Sequence, residues 1–220
     1  DDDGGTELLA ALEREGISSA FVRRDASMPT GRAHITVDDK GQNSIVVVPG
    51  ANSGAAFPSA ALEGATVLLA QLEVPLSVVT AAMAAGRAAG VTTILNPAPA
   101  RRLTNELLAH VDYLMPNETE AERLGEVSFN GIAIVTQGER GALVLRPGDR
   151  DRRVAPVQVK AIDTTAAGDA FCGCFAAELA AGRPIVESLR RASAAGAHAV
   201  TIEGALPSLP HAADVDRLLR

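Results

Sequence analysis

The sequence predicts an α/β fold, a mostly parallel central sheet with helices on both faces, plus a small β flap. Three observations predict it. From residue 64 onward, short apolar runs alternate with helix-like segments. The links between them are short, so successive strands run parallel with helices as their crossovers. The interior is built of small aliphatics, since 47% of the 220 residues are hydrophobic and only 3% are aromatic. One core-forming domain over residues 1–220 is expected, with a hairpin flap at 30–52.

The elements read in order as follows. TELLAALEREGI places Leu8, Leu9 and Leu12 at helical spacing, with Thr6 as N-cap and Gly16 as stop. SAFVRR reads as a short strand. TGRAHITVDD and NSIVVVPG are extended segments joined by the turn chemistry of DDKGQ, which makes a hairpin outside the main alternation. GATVLLAQLE is a buried strand, and PLSVVTAAMAAGRAAG a helix opened by Pro75 and closed by Gly90. VTTILNPAPA is a strand ending in a proline-broken loop. NELLAHV (helix), DYLMPN (strand), ETEAERLG (helix) and GIAIVTQG (strand) follow. GALVLRP and RRVAPVQVKAI are extended segments beside that last strand. Three helices close the chain: GDAFCGCFAAELAAG, PIVESLRRASAAGAHAVTIEG and HAADVDRLLR.

Charge and composition exclude several classes. The net charge is −7 and no basic stripe is present, which argues against nucleic acid as a partner. An acidic chain still binds anions where backbone N–H groups hold them. No apolar run approaches the ~20 residues of a membrane helix. Cys172 and Cys174, two apart on a helix, point in different directions and do not bridge each other. Few cysteines and no signal peptide point to a cytoplasmic setting. His34, His110, His198 and His211 are dispersed, without metal-ligand spacing.

Ligands of open α/β sheets bind beyond the carboxyl ends of the strands. Those ends carry Gln71 and Glu73, Asn96, Asn117 with Glu120, Thr136 with Gly138, and the stretch DTTAAGDAF at 163–171. Taken singly, each has a plain structural reading: a turn, a solvated acidic first turn, or a helix cap.

DTTAAGDAF, the N-x-x-E pattern in PNETEAERL, LNPAPA, AQLEVP and VTQGERGAL resemble, in order and spacing type, the motifs of the ribokinase family of PfkB-type carbohydrate kinases. AVTIEGALPSLP resembles the C-terminal segment of ribokinases. The resemblance implies ATP-dependent phosphorylation of ribose at its 5-hydroxyl, with magnesium and potassium as cofactors. It makes Asp169 the general base, Ala166, Ala167 and Gly168 the backbone of an anion hole, and Glu73 a sugar contact. Asn117, Thr136, Gly138, Gly168 and Ser193 become nucleotide contacts. The same resemblance implies that Asn117 and Glu120 lie near magnesium, partly through water, and that Asp163, Thr165, Ala199, Ile202, Gly204 and Ser208 hold potassium. The physics fits, because side chains this small let phosphate oxygens reach backbone N–H groups at a helix's positive end. The apolar hairpin face invites pairing with a second flap in a homodimer.

Rival readings are a kinase for another pentose, a fructose-like hexose or a nucleoside, and a sugar- or nucleotide-binding relative without turnover. Phe57 is the one aromatic near the flap, too little to stack a nucleobase well. The sequence departs from the family in two places. The strand–helix units that normally precede residue 1, with their sugar-binding aspartate, Gly-Gly pair and asparagine, are not in these 220 residues. A helix expected between Glu120 and Thr136 is also missing, which should leave the next parallel strand hard to reach. Both departures imply a longer protein.

Overall fold

The structure, a computed structural model, describes residues 1–37 and 43–220. Helix α1 (Asp3–Arg14) precedes a two-stranded antiparallel sheet of β1 (Arg32–Val37) and β2 (Asn43–Val48). The DDKGQ turn lies outside the described residues. Six strands form the main sheet side by side in chain order: β3 (Val67–Ala70), β4 (Thr92–Leu95), β5 (Tyr113–Leu114), β6 (Ile132–Thr136), β7 (Ala142–Leu145) and β8 (Arg152–Val154). Strands β3 to β6 are parallel, and β6 to β8 form an antiparallel meander. Helices α2 (Leu76–Ala88), α3 (Asn105–Leu108) and α4 (Glu118–Leu124) connect the parallel strands. Helices α5 (Ala167–Ala180), α6 (Ile185–Ala199) and α7 (Ala212–Leu218) follow.

Alternation along the strands divides the core into two layers. Val67, Leu69, Ile94, Met115 and Ile134 face Phe171 and Phe175 of α5 and Leu189 of α6. Leu68, Ala70, Leu95 and Leu114 face Val79 and Met83 of α2 and Leu107 of α3. Helices therefore cover both faces. Helices α5 and α6 approach closely because Ala and Gly line their contact; a Cβ on Gly196 would sit 3.2 Å from the Ala167 carbonyl oxygen.

Four expectations are corrected. The N-cap of α1 is Asp2, not Thr6: its Oδ1 accepts from Gly5 N at 2.8 Å, and its Oδ2 from Thr30 N at 2.9 Å. DDDGG thus starts the helix instead of preceding it. SAFVRR is no strand; Val22 N closes a turn onto Ser19 O, and Phe21 and Val22 stay exposed. Arg23 and Arg24 are drawn instead to Gly54 O and to Asp1 and Thr6. The helix read through PIVESLRRASAAGAHAVTIEG ends at Ala199, after which the chain turns, with Gly204 at φ 89°.

The fourth concerns the short link before β6. A parallel β5–β6 pair does form, through the register Tyr113↔Ile132 and Leu114↔Ala133, with α4 itself as the crossover. The tight return depends on Gly131, where a Cβ would lie 2.5 Å from Asp112 O and 2.4 Å from the Phe129 ring.

Candidate active site

The carboxyl ends of β3 to β6 and the N-terminus of α5 meet at one edge of the sheet. Gln71 leaves β3, Asn96 leaves β4, and Asp169 occupies the first turn of α5. Gln71 Nε2 donates to Asp169 Oδ1 at 2.7 Å and reaches Asn96 Oδ1 at 3.3 Å. Asn96, buried, donates through Nδ2 to Met115 O at 2.7 Å. Residues 98 positions apart are joined by a hydrogen bond that needs the folded sheet.

The start of α5 is unusual. Its N-cap, Ala166, adopts the left-handed conformation at φ 60°, the one non-glycine residue with positive φ among those described. Such a backbone costs on the order of 1 kcal/mol and persists where the surroundings hold it. Among the described residues, the N–H groups of Ala166, Gly168 and Asp169 meet no acceptor in the protein, while Ala167 N donates to Thr164 O at 3.3 Å. The expected anion hole therefore has three open amides and one engaged by a long bond. Gly168 is small without packing need: a Cβ there meets nothing within 4 Å.

Two cavities flank this turn. A cleft of about 440 Å³ is lined by Thr136, Gly138, Ala167, Gly168, Ser193 and their neighbours. A second, of about 300 Å³, is lined by Leu69, Ala70, Gln71, Asn96, Asp169 and Cys172. Neighbouring residues of one helical turn thus face separate compartments. Ser193 Oγ is buried without a hydrogen-bond partner among the described residues, an acceptor or donor left for a ligand in the cleft. Burial, followed by the charges of Asp169 and Glu120, pushes the Cys172 thiol up to about 12. At neutral pH it is a protonated wall of the smaller cavity. The larger surface cavity of about 730 Å³, beside Arg87, Asp112 and Asn130, holds none of the expected site residues.

Asn117 and Glu120 come together at the start of α4. They form a capping box on α4: Glu120 N donates to Asn117 Oδ1 and Asn117 N to Glu120 Oε2, both at 2.8 Å. Asn117 also bridges to Thr136, whose N–H donates to Pro116 O at 2.9 Å. The N-x-x-E pattern therefore has a structural use, and among the described residues Glu120 Oε1 and Asn117 Nδ2 receive no further partner. One free carboxylate oxygen suits magnesium that arrives with nucleotide phosphates and keeps most of its waters. Glu118 pairs with Arg140 and accepts from Gln137, whose Oε1 accepts from Arg153 at 3.0 Å. Among the described residues, no group of three or more His, Cys, Asp or Glu side chains could hold a metal ion alone.

The segments 162–165 and 199–208 also meet. Asp163 Oδ1 accepts from Thr165 Oγ1 at 2.7 Å and Thr165 N at 2.9 Å, and its Oδ2 from Gly204 N at 2.9 Å. These bonds hold its carboxyl below the usual range, the Thr165 hydroxyl contributing most. Ile162 N donates to Val200 O at 2.7 Å, Ile202 N returns to Ala199 O, and Ser208 is fully buried. With the carboxylate turned into the loop, backbone carbonyls are the natural cation donors here. Glu73 is exposed just past Gln71 and lines neither cavity beside Asp169.

The family model for pfkB family carbohydrate kinases matches residues 1–212. A ribokinase of Schizosaccharomyces pombe is 33% identical over 98% of this chain and 76% of its own length. Its alignment runs over 241 positions against the 220 residues here. A deoxyribokinase of Salmonella typhi is 33% identical over 96% of the chain and 76% of its own. Among solved structures, Arabidopsis thaliana ribokinase complexed with ribose and ATP superposes with a TM-score of 0.91 at 32% identity, covering 100% of this chain and 79% of that one.

Proposed function

Because the chain belongs to the pfkB family of carbohydrate kinases and is a sugar kinase, we propose that it transfers the γ-phosphoryl group of ATP to the 5-hydroxyl of D-ribose. The observation that carries this reading is the placement of Asp169 and Gly168. One faces the smaller cavity and the other the larger cleft, one peptide apart. An acceptor alcohol on one side and a nucleotide on the other would meet at that turn.

In the proposed step, Asp169 Oδ2 takes the proton of the sugar hydroxyl as its oxygen attacks the γ-phosphorus. The bond from that phosphorus to the β–γ bridging oxygen breaks, and ADP leaves. Positioned bases of this type contribute about 10²–10⁴ in rate. Negative charge gathering on the transferring group is met by the open amides of Ala166, Gly168 and Asp169 and by the positive end of α5. The Ala167 N–H must release Thr164 O, or share its proton, to join them.

Thr136, Gly138 and Ser193 are assigned to the nucleotide, Ser193 through its unpartnered hydroxyl. Asn117 and Glu120 are assigned to magnesium, which when bound neutralises phosphate charge. Asp163, Thr165, Ala199, Ile202, Gly204 and Ser208 are assigned to potassium, at the loop that leads directly into the anion hole. Glu73, exposed just outside the smaller cavity, is assigned to the sugar on the likeness of AQLEVP to the family motif alone. The exposed Val46, Val47 and Val48 of β2, 46–64% accessible, support a homodimer through the flap, checked by light scattering. No helix of the described residues is long and apolar enough to cross a membrane.

The test is ADP release measured across ribose, deoxyribose, fructose and nucleosides, with ³¹P NMR of the product. Turnover should be highest with ribose and give a 5-phosphate. Faster turnover on another acceptor would replace ribose, and absence of turnover on every acceptor would favour a binding protein.

A further inference from the structure

The hydrogen-bond chain behind Asp169 has a direction fixed by its buried end. The Met115 carbonyl can only accept, so the Asn96 amide must present Nδ2 to it, at 2.7 Å. That leaves Asn96 Oδ1, an acceptor, facing Gln71. Gln71 must then turn its NH₂ group inward, where Nε2 has two protons and two acceptors: Asn96 Oδ1 at 3.3 Å and Asp169 Oδ1 at 2.7 Å. The orientation of an amide whose two ends look alike is thus set two hydrogen bonds away, by the backbone carbonyl of Met115. Among the described residues, Asp169 Oδ2 receives no hydrogen bond.

Resting on the reading of Asp169 as the base, we propose that Gln71 is a positioning residue for it. The Gln71 amide pins Oδ1, fixes the plane of the carboxylate, and leaves Oδ2 as the oxygen that accepts the proton. Asp169 sits in the exposed first turn of α5, where the Gln71 amide is the side chain that hydrogen-bonds its carboxylate among the described residues. Gln71 supplies that restraint from β3, the strand whose end forms the floor of the smaller cavity. A neutral amide can do this without placing a second charge beside the reacting oxygens. The role needs a donor at that point, not merely a side chain of that volume.

The experiment compares Gln71→Leu and Gln71→Glu with the unmodified protein, using whichever sugar gives the highest turnover. Gln71→Leu removes the donor, and kcat should fall about 10–100-fold. The KM for ATP should stay within about 2-fold and the thermal midpoint should hold, because the nucleotide cleft is elsewhere. Gln71→Glu keeps the shape but turns the donor into a carboxylate facing Asp169, and kcat should fall further than in Gln71→Leu. A space-filling role predicts the opposite order, with Gln71→Glu close to the unmodified protein. Normal kcat in both variants, or loss of kcat only in step with thermal stability, overturns the proposal. Asp169→Asn in parallel separates the two levels. If that variant turns over normally, the assignment of the base itself fails. If it is inactive while both Gln71 variants are normal, only the role of Gln71 fails.

Discussion

Asp163 Oδ2 accepts a 2.9 Å hydrogen bond from the backbone N–H of Gly204, tying the loop before α5 to the turn after α6. Its other oxygen is held by Thr165, so the carboxyl lies below its ordinary range. A group depressed in the folded state contributes stability above its unfolded pKa and loses it as pH falls through the folded value. Asp163→Asn cannot accept from both Gly204 and Thr165 as the carboxylate does. Its thermal midpoint should lie below that of the unmodified protein at pH 7, and the two should converge as pH falls below about 4. Midpoints scanned from pH 3 to pH 8 check this; a constant gap would show that the charge is irrelevant.

Gly168 separates a packing role from a functional one. A Cβ there meets nothing, and its backbone is not left-handed. Gly168→Val should therefore leave the thermal midpoint nearly unchanged, within the ~0.5 kcal/mol typical of surface changes. Its side chain would stand where phosphate oxygens must approach the amides, and kcat/KM should fall at least about 10-fold. Calorimetry and initial rates on the same preparation check both halves.

Ser193 makes a contrasting pair of expectations. Its buried hydroxyl has no partner among the described residues, so Ser193→Ala should leave stability unchanged or slightly raised. If the hydroxyl binds nucleotide, the same change should raise the KM for ATP about 3–10-fold, the worth of one hydrogen bond. Unchanged KM would remove Ser193 from the nucleotide contacts.

Phe175 belongs to the fold and not to the chemistry. It is fully buried between sheet and α6, edge-on to Tyr113 with ring centroids 5.3 Å apart. Phe175→Ala should cost about 3–5 kcal/mol, read by denaturant unfolding. Molecules still folded should keep their KM for ATP.

The layered sheet was legible because the sequence writes it twice: as alternation along each strand and as βα rhythm along the chain. Ile94 and Leu95 face opposite layers as expected of neighbouring strand residues. SAFVRR forms no strand because no strand among the described residues pairs with it, and Phe21 and Val22 stay exposed. The α1 cap lies at Asp2 because Thr30, 28 residues along the chain, holds that carboxylate in place, a contact that no local pattern displays. At the site, Asp169 and the small residues before it were visible as a local motif. The pairing of Asp169 with Gln71 was not, because it is made across 98 residues by the register of β3 against α5. For Asn117 and Glu120 the local cue is the N-x-x-E spacing at a helix start, which is the pattern of a capping box.

The central claim is that Asp169 accepts the proton of the sugar alcohol, and the most direct test is Asp169→Asn assayed for ATP affinity and turnover together. Asparagine keeps the shape and removes the base. Nucleotide affinity within about 2-fold, with kcat reduced by about 10²–10⁴, is the expected result. Turnover at the unmodified rate, with sugar and ATP saturating, would contradict it.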